Sequence, residues 1–524
     1  MKNSLDDSSL DYVPQQVVGY FLLNKKSFVR DYDDELRVNM KQVVSSERWK
    51  VIGIYFYLSL PVLIFFLGWM RTYYGIPAAG IVVWMLYRSS RCERKLWQPG
   101  WNIDTIRSMC LIALIIALWV YFSGIGGMVY QNPDHIMRNG VFRILVNHKW
   151  PVVHTINTVR GTVNTGIVYY IGFWLPAALV GKLFGLTVGY LFQMVWAFIG
   201  IAIFYYLICE QFQKLSVWPL LGFMFFSGLD IIGKVLDDQS LWHIIKGFQH
   251  LEWWGPFQYT SFMAQLFWVF NQAIYAWVIF MMIMRQNENS HLIFLWSFGL
   301  LTCTIPSIGM IPYLLYKSII NKKGRGWLHS LLTKENILGG GTVGIVCGLY
   351  LLSNGSFGYT SEAFDELSKG HLKAYMMYYI VFIILEVGLY FLSIYHYQKN
   401  NPVYVLTLMI LLICPLIHVG HSADFCMRAS IPALITLWYL VYKTWEKARK
   451  QRDRLTVIFI SALFIVGVWT PCFEIGRTIT QTNSAAQANE MIMQRTASDE
   501  EVFDPYNNAA GMIDDSVFFK YLAR

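Results

Sequence analysis

Charge is what this chain has least of. Asp, Glu, Lys and Arg supply only 14% of its 524 residues, against roughly a quarter in a soluble domain. That shortage excludes an ordinary water-soluble fold. No small-residue cleavage site follows a short apolar core near the start, which argues against a cleaved signal peptide. The opening residues are instead polar and acidic, with Asp6, Asp7, Asp31, Asp33, Asp34 and Glu35. Alternating segments of ~10 residues are absent, which excludes a membrane β-barrel. The eight cysteines show neither metal spacing nor a disulfide framework; a Cys426–Cys472 bridge is the one pairing left open. The triple glycine at 339–341 is followed by no Lys-Ser/Thr and is no phosphate loop. There is also no internal repeat and no Pro- or Ser-rich linker.

What is present is apolar surface. Hydrophobic residues make up 55% of the chain and aromatics 17%. They fall into repeated runs near the ~20 residues that cross ~30 Å of hydrocarbon. The expected fold class is therefore all-α, a polytopic membrane protein with external interfacial helices. The net charge of +9 is no nucleic-acid signature, because Lys and Arg sit mainly in loops where the positive-inside bias puts them.

That bias sets a topology. Arg48 and Lys50 precede a first span at 51–69, which places the N-terminus inside. A turn at 71–75 leads to a second span ending at the basic cluster Arg88, Arg91, Arg94 and Lys95. The third span, 106–122, delivers residues 123–185 outside. Segment 169–184 holds Pro176 and Lys182, and only Gly185 separates it from the next apolar run. It reads as a helix in the outer interface, with 186–209 as the next crossing. Residues 217–228 return outward, and 261–284 run inward to Arg285. Continuing by the same rule gives about thirteen spans. The last is 457–469, with the C-terminus outside. Domain boundaries follow: a cytoplasmic extension at 1–48, a membrane domain at 49–470 and an external tail at 471–524. The expected location is a cell membrane, of the bacterial cytoplasmic type.

Three external segments hold residues suited to chemistry. Asn132-Pro133-Asp134 reads as a helix start, with Asn as cap, Pro in the first turn and an acid favoured by the dipole. Asp134 is then either a capping residue or a general base toward an acceptor hydroxyl or amine. His135 sits beside it, and Arg138 one turn on, where a guanidinium could orient the carboxylate or bind phosphate. Asp230 ends an apolar run and is followed by Asp237, Asp238, His243, His250 and Glu252. Such acids could hold a divalent cation or form a solvated loop. Trp218, Trp253 and Trp254 read first as interfacial belt residues. In the third segment, His418, His421, Asp424 and Arg428 lie within a few turns at one end of a helix hairpin. Ionisable groups at membrane depth are functional candidates by default, and Arg428 suits a lipid phosphate. The His-x2-His-x2-Asp spacing lies in an irregular Gly-Ser loop, so no metal ligands are assigned.

Together these residues resemble the C-type glycosyltransferases (GT-C), membrane enzymes that use polyprenyl-phosphate sugars. Asp134 with Leu145, Trp150 and Pro151 is similar to that family's first external loop. Residues 183–186 resemble its junction from interfacial helix to span, Asp230 its second acid, and Arg428 with Pro432 its late Arg–Pro motif. The chain departs by placing two spans before the acidic loop and by offering Pro133-Asp134 where the family pairs two acids. The resemblance implies transfer of a sugar from a polyprenyl-phosphate donor to a glycan or lipid acceptor of the cell envelope, with membrane lipids and no nucleic acid as surroundings. It implies Asp134 and Asp230 as catalytic residues. Substrate contacts would come from His135, Arg138, His250, His421, Asp424 and Arg428. A divalent cation stays open as cofactor. Two other readings are a polysaccharide polymerase or ligase of the O-antigen type, and a lipid or polysaccharide transporter. The first relies on a large late loop, and 353–371 and 420–428 are short; the second predicts paired broken helices in two halves.

Overall fold

A computed structural model describes residues 49–158, 161–236, 241–247, 250–252, 257–322, 326–354, 372–419, 423–487, 496–504 and 508–524. The N-terminal extension expected at 1–48 lies outside the described residues, as do Asp237, Asp238 and His421. The structure is 76% helix and 4% strand. Among the described residues, six helices are long and apolar enough to cross a membrane.

The chain opens with α1 (Trp49–Trp69) and α2 (Thr72–Cys92), then α3 (Ile103–Phe122), whose Asn102 side chain caps the Thr105 N–H. The segment after α3 is ordered and compact. It carries α4 (Asp134–Asn147) and an antiparallel hairpin of β1 (Val153–Thr158) and β2 (Gly161–Ile167), Val153 pairing with Gly166. Then comes α5 (Leu175–Phe184). The sequence pattern gave no hint of this hairpin, which is short and irregular in its alternation. At ten residues, or about 15 Å, α5 is too short to cross hydrocarbon.

Gly185 alone reverses the chain into α6 (Leu186–Phe212). Its φ of +95° is open to glycine without a Cβ penalty. Gly181 and Gly189, four positions to either side, let the two helices touch backbone to backbone. Sequence spacing made a one-residue turn look inadequate; two flanking glycines make it sufficient.

Two expected elements differ. Residues 217–228 form only α7 (Val217–Met224), eight residues long and too short to cross, followed by α8 (Asp230–Leu236). At the far end, helix runs over Arg454–Gly467 and resumes over Trp469–Gln487, so helical structure continues past the expected boundary at 470. Between these lie α9 (Phe262–Arg285), α10 (Leu372–Gln398), α11 (Asp424–Ala429), α12 (Ile431–Gln451) and α13 (Arg454–Ser484). All cysteines are free, so Cys426 and Cys472 form no bridge.

Helix α9 is the centre of the molecule. It is predominantly apolar and buried along nearly its whole length, as a core helix is, with Gln265, Asn271, Gln272 and Arg285 as its buried polar side chains. It packs on α6, on the helix Thr304–Ile320, on α12 and on α13. At its C-terminal end Arg285 pairs with Glu93, just past α2, and with Glu210 of α6 at 2.7 Å. Tyr55 of α1 also donates to Glu93, at 2.7 Å. These contacts bring the ends of four helices to one face of the bundle.

The opposite face is closed by the C-terminal segment. Strand β3 (Ala510–Met512) adds to β2, and the Ala497 N–H donates to the Ile136 carbonyl of α4. Arg143 pairs with Asp499 at 2.7 Å, and the Arg524 N–H donates to Trp69 at the end of α1. Residues 496–504 thus pack over α4, and residues 508–524 pack against β2 and the end of α1.

Candidate functional site

The site is built around a break in α9. Val269 has φ −133° and ψ 33°, outside helical geometry. Just before it, the Phe267 carbonyl accepts from Asn132 Nδ2 at 2.7 Å and faces His135 Nε2 at 2.9 Å. A carbonyl can only accept, so Nε2 carries the imidazole proton. The His135 ring also stacks on Phe270, 5.3 Å between centroids. Burial pushes the His135 pKa down to about 3, with the Arg138 charge adding to it and the Phe267 carbonyl opposing.

This anchoring fixes the start of α4. Asn132 Oδ1 accepts from the Asp134 N–H at 3.1 Å, one residue ahead of Pro133, which holds the N-cap position without a side-chain bond, and Asp134 gains the dipole as the first residue. The Asp134 side chain is 45% exposed, while Arg138 one turn on is 7% exposed; they pair at 2.9 Å. Arg138 lies over Phe270, 5.9 Å from its centroid. Its Nε and Nη1 are buried and have no hydrogen-bond partner among the described residues.

Helix α11 repeats the arrangement. Asp424 and Arg428 pair at 3.0 Å, with side chains 24% and 9% exposed, and Arg428 Nε is again buried without a partner. Gly309 sets the seat of α11. A Cβ there would overlap the Ala429 carbonyl. Burial opposes the charge on Arg428, but Tyr170, Asp424, Tyr169 and Asp134 lie within electrostatic reach and outweigh it. Arg138 and Arg428 both act on the Tyr169 phenol. Two Asp–Arg pairs from distant parts of the sequence therefore share one neighbourhood around Tyr169 and Tyr170.

The other side of the α9 break holds a nest of buried acids. Asp230 is 2% exposed and accepts from Ser227 Oγ at 2.8 Å and Thr470 Oγ1 at 2.9 Å. Burial pushes its carboxyl up, against the hydrogen bonds it accepts from neighbours. Glu386 of α10 lies against it. Glu252 accepts from the Ser261 N–H at 2.7 Å, and burial, then the Asp230 charge, raise it well above the carboxylate range. Glu474 of α13 is fully buried and meets His250 Nδ1 at 2.7 Å, Trp268 Nε1 at 2.8 Å and Arg477. Among the described residues, no three His, Cys, Asp or Glu side chains form a group that could hold a metal ion.

The expected residues thus divide. Asp134, His135, Arg138, Asp424 and Arg428 come together. Asp230 and His250 belong to the acid nest and contact none of these five through any hydrogen bond or ion pair among the described residues. Asp230 is a buried group, where a surface acid was expected. His418 bonds Tyr375 at 2.8 Å. Sequence reasoning passed over Tyr169, Tyr170, Glu386 and Glu474. For the two glutamates the signal was available: each sits inside a long apolar helix, where an ionisable residue marks a functional candidate. Compared with known families, curated proteins and solved structures, the chain matches none.

Proposed function

We propose that this chain is an integral membrane glycosyltransferase of the C-type, moving a sugar from a polyprenyl-phosphate donor to a cell-envelope acceptor at the outer face. In this reading the chain crosses the membrane several times with its N-terminus inside, and the Asp134 face is external. One observation carries the proposal: two buried guanidiniums, Arg138 and Arg428, keep N–H groups without partners among the described residues, Arg138 beside the half-exposed Asp134 carboxylate. Buried donors normally find acceptors, and a phosphate oxygen is the acceptor a guanidinium fork suits best.

The chemistry follows from placement. Asp134, paired with Arg138 at 2.9 Å, takes the proton from the acceptor hydroxyl. The acceptor oxygen bonds to the anomeric carbon as the bond from that carbon to the phosphate oxygen breaks. The negative charge that grows on the departing lipid phosphate meets Arg138 and Arg428. Holding both substrates between α4 and α11 contributes through orientation.

The test is Asp134→Asn. Asn preserves shape and the helix start but cannot take the proton, so product formation falls by about 10²–10⁴-fold. The readout is lipid-linked glycan made by cells at matched protein level. Undiminished product would leave Asp134 as a structural residue and remove the mechanism.

A second reading, proton-coupled transport of a lipid or glycan, is favoured by the buried acid nest. Under it, Glu386→Gln abolishes proton-driven flux in vesicles. Under the transferase reading, the same variant produces no change in any proton flux.

A further inference from the structure

On the face of the bundle opposite Asp134 lies a groove unrelated to the site above. It is formed by α7, the second half of α12 and the first half of α13, and encloses about 960 Å³. Its walls are aromatic and aliphatic: Leu221 from α7 and Phe225 just past its end, Trp438, Tyr442 and Trp445 from α12, and Phe464 from α13. Its mouth is cationic. Lys214, Arg449 and Lys450 line it, with Glu446 as the one acid among the lining residues.

Three features say what fits. From Trp438 to Lys450 the groove follows twelve residues of α12, or about 18 Å at 1.5 Å per residue, close to half of the ~30 Å hydrocarbon core. That is the depth of one leaflet. The charged end coincides with the end of the helix, where Arg449 lies over the Trp445 ring at 5.6 Å, and Trp218 beside it is 71% exposed. Aromatic side chains at this level suit the membrane–water interface. Finally, Trp438 Nε1 lines the deep part of the groove, buried and without a partner among the described residues. A soluble anion would use the mouth and leave the apolar walls bare; a neutral lipid would use the walls and leave the cations unmatched.

We propose that the groove binds one anionic phospholipid from the leaflet on the Arg285 side, its acyl chain along Trp438, Tyr442 and Phe464 and its phosphate among Lys214, Arg449 and Lys450. The proposal stands apart from the glycosyltransferase reading, since the groove and Arg138 lie at opposite ends of the bundle. It does touch that site indirectly. Helix α12 begins three residues after Arg428 and ends in the cationic mouth, so lipid bound there steadies the helix that follows α11.

The test is native mass spectrometry of the purified full chain, titrated with phosphatidylglycerol or with phosphatidylcholine of the same acyl chains. One phosphatidylglycerol binds at least tenfold more tightly than phosphatidylcholine. Each of Lys214→Gln, Arg449→Gln and Lys450→Gln lowers that preference by about fivefold, the worth of one cation near an anionic surface. Leu221→Trp, which fills the groove, lowers binding of both lipids. Equal binding of the two lipids by the unaltered chain would overturn the proposal. So would displacement of phosphatidylglycerol by millimolar inorganic phosphate, which would mark a site for free anions. If a variant fails to fold, the unaltered chain still decides the matter: phosphatidylglycerol with an acyl-chain diazirine must label residues in 217–226, 438–445 or 460–468, and labelling confined to other segments would sink it.

Discussion

Arg285 Nε lies 2.7 Å from Glu210 Oε2, and neither side chain is more than 4% exposed. The same guanidinium reaches Glu93 and donates to the Arg94 and Lys95 carbonyls at 2.7 and 3.0 Å. Glu93 is also met by His291 at 3.1 Å and Gln286 at 2.8 Å. One cation thus satisfies two buried acids and fastens α9 to α2 and α6. Removing one partner of a buried ion pair strands the other, at about 3–5 kcal/mol. Arg285→Met therefore lowers stability by that order, because two carboxylates lose their cation together. Thermal unfolding in detergent, followed by helix signal, checks it; a change below about 1 kcal/mol would mean that the acids find other partners.

The two guanidiniums of the candidate site give a prediction about shape. Arg presents a planar fork, whereas Lys offers a compact charge on a flexible stem. Arg138→Lys and Arg428→Lys keep the charge but lose donors that have no partner among the described residues, Nε and Nη1 in Arg138 and Nε in Arg428. Binding of a polyprenyl-phosphate analogue weakens about tenfold or more in each, within the range of a charged hydrogen bond. Wild-type affinity in Arg428→Lys would remove that residue from phosphate recognition.

His135 predicts a pH dependence. Its folded pKa is depressed to about 3, while an unfolded histidine titrates near 6.5. Between those values the unfolded chain binds a proton and the folded chain does not, so stability rises with pH. The contribution is complete above about 6.5 and is lost as pH falls toward 3, by up to about 1.4 kcal/mol per unit. His135→Gln, which donates to the Phe267 carbonyl without titrating, flattens this slope. Ring signals of labelled His135 that move between pH 8 and 5 would contradict the assignment.

The two faces of the bundle predict a labelling pattern. Single cysteines at Asp134, Asp499 and Asp504 react with an impermeant thiol reagent in intact cells, and cysteines at Arg91 and Arg449 do so only after lysis. The two sets lie on opposite faces in the structure, and basic residues favour the inside. Reaction at 449 but not at 134 in intact cells would invert the topology.

Some of this was legible in the residue order. Helix and membrane character follow from composition and run length, which are local properties, and the long helices lie where the apolar runs are. The start of α4 at Asp134 was readable too, because helix-start signals are local, although Pro133 and not Asn132 takes the cap position. Tertiary structure decided the rest. Whether 217–228 crosses depends on where α7 stops, and packing sets that. Gly185 makes a sharp turn only because Gly181 and Gly189 let α5 and α6 close on each other. Asp230 reads as a surface acid at the end of an apolar run, and becomes a buried one when Ser227, Thr470 and Glu386 gather around it. That Arg138 and Arg428 both act on Tyr169 lies furthest from sequence. Each Asp–Arg pair is a local i,i+4 contact that a helix supplies. Their shared neighbour is set by how the break of α9 at Val269 anchors α4 and how Gly309 seats α11, and no periodicity encodes proximity between segments so distant in the chain.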